Sequence, residues 1–116
     1  MTRRDVSVYL RDIEEACLAI HDATRNHTLA DYVSLRWLRS SVEREFTIIG
    51  EALRLALNSD ESLGTRITDA RQIIDFRNML VHGYSAIEHD RVWDIIEQRL
   101  PRLLAEVRAL LVQFRP

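Results

Sequence analysis

Four side chains between positions 77 and 84 are suited to chemistry: Arg77, Asn78, His82 and Tyr84. Arg77 lies four residues from Ile73 and Val81 and three from Ile74 and Leu80, so it projects from an apolar helical stripe rather than a solvated face. A buried, unpaired guanidinium is strongly disfavoured. Arg77 therefore needs a carboxylate such as Asp75 or Glu51, a cleft that reaches a ligand, or a boundary between subunits. Its planar fork suits phosphate or carboxylate. His82 sits at the end of the same predicted helix, where the negative end of the macrodipole favours an imidazolium. It can serve as a proton donor near neutral pH, or as an ordinary helix cap. Asn78 precedes His82 by one turn, so its amide can fix the imidazole or touch a ligand. Tyr84 falls beyond Gly83, as an exposed hydroxyl or as a packed turn residue.

The elements that must hold these groups are helices. From Arg4 to Asp22 the positions Val6, Tyr9, Ile13, Ala16, Cys17 and Ile20 recur at spacings of three and four, one face of an amphipathic helix. Thr28 followed by Asp31 has the form of a capping start. The stripe Leu35, Leu38, Val42, Phe46, Ile49, Leu53 and Ala56 then predicts one long second helix, ended by Asn58 to Gly64. Trp37, Ile48 and Leu55 lie off that stripe, a surplus that fits either a subunit interface or wide burial within one chain. A third helix is predicted from Thr68 to His82, with Ala70, Ile73, Ile74, Leu80 and Val81 on one face and Gly83 as its stop. A fourth segment from Glu88 to Phe114 contains Pro101, which either kinks it or opens a new helix. Residues 1–116 thus read as a single all-α domain, an up-and-down four-helix bundle with a kinked or split last helix.

Composition narrows the partners. The formal charge is −2, so no basic field announces nucleic acid, and any such site must be local. All 16 basic residues are arginine, so every cationic side chain is a fork. The single cysteine, Cys17, lies in an apolar stripe, reads as core, and fits a reducing compartment. No apolar run approaches the ~18 residues of a membrane span and no signal-peptide core opens the chain, so a cytoplasmic protein with no membrane partner is expected. His21, His27, His82 and His89 include no pair at the spacing that clamps zinc on a helix, so neither a metal nor another cofactor is expected.

Arg77, Asn78, His82, Gly83 and Tyr84 reproduce the Arg-Asn-x3-His-Gly-Tyr signature, and the chain resembles the HepT-like toxins, a branch of the HEPN superfamily of small helical ribonucleases. The resemblance extends to SVEREFTIIGEALRLA (residues 41–56), with its Ile-Gly-Glu-Ala core at 49–52, and to DRVWDIIEQRLPRL (residues 90–103). It implies a HEPN-like bundle and a metal-independent endoribonuclease acting on RNA as a homodimer, with both motif copies facing a shared cleft. In that chemistry a ribose 2′-hydroxyl attacks the adjacent phosphodiester, which requires proton transfer and positive charge at the phosphorane. The resemblance assigns the first to His82, the second to Arg77, and orientation to Asn78.

It further implies that a small nucleotidyltransferase antitoxin adds AMP to Tyr84, placing a bulky anion beside the cleft where it would repel RNA phosphate. The competing reading is a non-catalytic helical module that dimerises, binds such a nucleotidyltransferase, and uses Arg77 and His82 only to bind nucleotide or hold the interface.

Overall fold

The computed structural model describes residues 5–82 and 88–114, all of whose regular elements are helical. The expectations for Gly83 as a helix stop and for Tyr84 lie outside the described residues. The helices are α1 (Val6–Thr24), α2 (Leu29–Ser34), α3 (Arg36–Ser59), α4 (Ala70–Val81), α5 (His89–Gln98) and α6 (Leu100–Phe114), with a 3₁₀ turn at Glu61–Thr65. The expected bundle is present, with α2 plus α3 and α5 plus α6 each taking the place of one long helix.

The predicted single second helix is corrected to two. Thr28 and Asp31 do form a reciprocal capping box, but it opens only the six-residue α2. At Leu35 the backbone becomes extended (φ −102°, ψ 101°), and α3 starts at the next residue. Carbonyls at the end of a helix need donors, and the Arg39 guanidinium supplies them, donating to the carbonyls of Tyr32 and Val33. The break lets α2 turn Tyr32 fully into the core, against Trp93 (ring centroids 5.6 Å apart) and His89 (5.9 Å) of α5. Burial there pushes the Tyr32 phenol well above its ordinary value.

The last segment does split, at Arg99. Pro101 occupies the second position of α6, in the first turn, where its missing N–H costs no helical bond. Leu100, Leu103, Val107, Leu110 and Leu111 form the buried face of α6, which packs on α1. α1 also packs extensively on α3, and α3 on α4. Cys17 is buried in this core, and desolvation raises its thiol to about 12, which keeps it protonated and inert at neutral pH. Phe46 of α3 meets Phe76 of α4 edge to face at 5.1 Å. Among the described residues no helix is long and apolar enough to cross a membrane.

Candidate active site

The helix that carries Arg77, Asn78 and His82 is fixed first at its opposite end. Asp69, the residue before α4, is 1% exposed, and its carboxylate accepts bonds from Arg99 Nη1 (2.8 Å) and from Arg102 Nε (2.9 Å) and Nη2 (2.8 Å). Burial disfavours a carboxylate, but the bond from Arg102, reinforced by Arg99, holds the Asp69 carboxyl below its usual range. The neighbouring Thr68 is not the start of the helix, as its place in the sequence suggests. Its N–H (3.0 Å) and hydroxyl (2.7 Å) instead donate to Glu106 of α6. Both contacts tie the front of α4 to α5 and α6.

Further along, α4 presses on α3 at one point. A Cβ added to Gly50 would lie 2.2 Å from Arg77 Cβ and 2.4 Å from its Cγ, so only glycine allows this approach. Glycine inside a helix costs ~1 kcal/mol relative to alanine, and here that cost admits the stem of Arg77 against the α3 backbone. The next residue, Glu51, receives the guanidinium: Arg77 Nη2 lies 3.0 Å from Glu51 Oε2. One turn on, Arg54 shares the same carboxylate, with Nη2 2.6 Å from Oε1 and Nε 3.3 Å from Oε2. The bond from Arg54, ahead of the field of Arg77, holds the Glu51 carboxyl below its ordinary value.

Arg77 Nη1 donates to Asn78 Oδ1 at 3.0 Å, while Arg77 Nε is buried without a partner among the described residues. Of the three settings the sequence allows for Arg77, the structure provides two: the carboxylate Glu51, and a cleft of about 370 Å³ lined by Tyr9, Asp12, Ile48, Glu51, Leu55 and Arg77. The Asn78 amide oxygen is engaged by Arg77 rather than by the imidazole. His82 caps α4, its backbone N–H donating to the Asn78 carbonyl, and its side chain is exposed. Val81, expected in the apolar face, is 50% exposed.

Five residues along a helix turn through about 500°, leaving Arg77 and His82 roughly 140° apart around α4. The structure therefore brings Arg77, Asn78 and Glu51 together, while His82 follows Asn78 by one turn and lies around α4 from Arg77. Among the described residues no group of three His, Cys, Asp or Glu side chains could hold a metal ion. A larger hollow of about 430 Å³ between α1 and α6 contains none of the motif residues.

The sequence reading did not single out Gly50 as a packing residue, Arg54 as a competitor for Glu51, or the Asp69 pair with Arg99 and Arg102. A signal existed for the first, since an isolated glycine within an apolar helical stripe marks a close backbone approach. One existed for Arg54 too, three residues from Glu51 on the same helix face. None existed for Asp69, whose partners are 30 and 33 residues distant.

Residues 13–110 match the Ribonuclease HepT-like family, and the chain belongs to it. A protein of Methanocaldococcus jannaschii named as an RNase is 29% identical over 107 residues, spanning 92% of this chain and 97% of its own. One from Thermococcus cleftensis, named as a ribonuclease HepT, is 28% identical over 93% of this chain and 97% of its own length. Another, from Caldanaerobacter subterraneus and also named as an RNase, is 23% identical over 89% of this chain and 91% of its own. No solved structure matches it.

Proposed function

We propose that the protein is the toxin of a toxin–antitoxin pair, an endoribonuclease that cleaves RNA without a metal ion and is silenced by AMP transfer to Tyr84 from a cognate nucleotidyltransferase antitoxin. The observation that carries the reading is the cleft at Arg77, in a member of a ribonuclease family. Its guanidinium is half-buried, held by Glu51 and Asn78, and open to a phosphate. In the reaction His82 takes the 2′-hydroxyl proton as the 2′-oxygen bonds to phosphorus. The 5′-oxygen leaves with a proton, giving a 2′,3′-cyclic phosphate and a 5′-hydroxyl. Arg77 neutralises charge on the phosphorane, and Asn78 orients the fork.

The angular separation of Arg77 and His82 supports a shared site. Two copies related by a two-fold axis supply two histidines for the two proton transfers, and place the exposed Val81 and His82 of each near the other. AMP on Tyr84 adds an anion that repels RNA phosphate. The second reading, a non-catalytic partner of a nucleotidyltransferase, draws on one observation: Glu51 already neutralises Arg77 in part, as a purely structural pair would.

The test is incubation of antitoxin-free protein, with Tyr84 shown by mass to be unmodified, with total RNA in excess chelator. Cleavage that leaves cyclic phosphate ends and is lost in His82→Ala is the expected result. No cleavage by either protein, with dimerisation lost in the variant, would establish the binding module instead.

A further inference from the structure

The cleft at Arg77 carries apolar and acidic side chains as well as the guanidinium. Its lining is apolar at Ile48 and Leu55 and cationic at Arg77. The α1 side contributes Asp12, whose half-buried carboxylate makes no hydrogen bond or ion pair among the described residues. The other acid, Glu51, differs: Arg54 donates to both of its oxygens, and Arg77 forms an ion pair with one of them. Asp12 is thus an acceptor that shares a cleft with an arginine but is not paired with one, and the cleft is of a size that takes small ligands (~300–1,000 Å³).

An ionised carboxylate offers only acceptors, so it selects groups that present donors and no acceptor opposite it. Unpaired RNA bases are read by such hydrogen bonds on their Watson–Crick edges, with apolar surface against their faces. Adenine places one amino donor beside a ring acceptor on that edge, and cytosine does the same. Uracil flanks its single N–H with two carbonyls. Guanine alone offers two adjacent donors, N1–H and N2–H, spaced to meet both oxygens of one carboxylate.

We propose that this cleft is a guanine subsite, with Asp12 accepting from N1–H and N2–H of a guanine whose neighbouring phosphate lies on Arg77. Ile48 and Leu55 cover the face of the base. The assignment rests on the ribonuclease reading for its phosphate, but the base site itself is a matter of binding. Asp12 is then the specificity residue, and cleavage is concentrated at phosphates next to guanine.

Four single-stranded RNAs, identical except for G, A, C or U at one position in an otherwise uniform strand, test this. The wild type is expected to favour the guanine strand in kcat/KM by roughly 5- to 150-fold, the discrimination of one good bidentate contact. In Asp12→Asn, which mixes a donor with an acceptor, that ratio should collapse towards one. Equal cleavage of all four strands, or a ratio unchanged in Asp12→Asn, would overturn the subsite. So would an effect of Asp12→Asn on dimer affinity alone, which would mark the cleft as covered by a second copy. A parallel NMR titration with the four nucleoside monophosphates separates the two readings. Guanosine monophosphate shifting resonances of Asp12 and Leu55, with the other three inert, sustains the subsite even if no strand is cut. Inert behaviour of all four, with cleavage intact, removes the subsite and leaves the ribonuclease.

Discussion

Gly50 of α3 lies directly beneath Arg77 of α4, so close that a single added carbon would sit 2.2 Å from the arginine's own Cβ. The clash would be with the root of a side chain, not its mobile end, so the helices themselves would have to part. Gly50→Ala should gain helix propensity but lose stability overall, by ~1–3 kcal/mol for the overpacking. Urea denaturation reads this directly, and a variant as stable as the wild type would show that α4 is not seated against α3 in this way. RNA cleavage should fall with it, because the displaced helix carries Arg77 out of its place in the cleft.

Replacing the arginine conservatively separates its charge from its shape. Arg77→Lys keeps a cation but loses the fork that bonds Glu51 and Asn78 together. Cleavage should drop by about 10²-fold, the scale of one lost donor at a developing charge, with the thermal midpoint nearly unchanged. Steady-state kinetics with one defined RNA checks it; full activity in the lysine variant would leave point charge as all that matters.

Glu51 competes with any phosphate for Arg77. The pair is partly exposed, with side chains 22% and 36% accessible, and such pairs contribute ~1 kcal/mol or less. In Glu51→Gln the apparent affinity for RNA should therefore rise by roughly twofold to fivefold, while the fold loses little. Fluorescence anisotropy with a non-cleavable 2′-deoxy strand measures it, and weaker binding would mean that Glu51 orients Arg77 more than it occupies it.

Asp69 predicts a pH effect of definite sign. Its carboxyl is held below the ordinary value of 3.8, so its contribution to stability is complete above that value and is lost as the pH falls through the lower folded one. Asp69→Asn should cost about 2 kcal/mol at neutral pH, the scale of bonds to a charged group. Its stability should then vary less than the wild type's below about pH 4. Parallel denaturation curves across the acid range test both parts, and identical acid limbs would assign the acid sensitivity elsewhere.

What could be read from the sequence follows from how local each signal is. The stripes of α1, α3 and α6 repeat every three or four residues, and their buried faces are those the spacing predicts. Pro101 marked the division of the last segment for the same reason. The break at Leu35 was hidden because neither glycine nor proline makes it. It is stabilised from outside, by Arg39 reaching back to two carbonyls, and by a core that wants Tyr32. Val81 misleads in the opposite direction, since its spacing is that of the core but α4 has run past its cover by that point. At the site, Arg77 declared itself by being charged among apolar neighbours. Glu51 as its partner was one of two named candidates, and distance alone decided between it and Asp75.

The two ends of α4 differ in how they are anchored. A buried carboxylate and two guanidinia clamp the first, and the last turn ends in exposed Val81 and His82. Amide hydrogen exchange should accordingly slow towards Ile73 and quicken towards His82, a gradient set along one short rod. A body bound at the fast end would meet the part of the helix that yields most easily. Its arrival would be recorded first as slowed exchange of the last turn, before any change in the core.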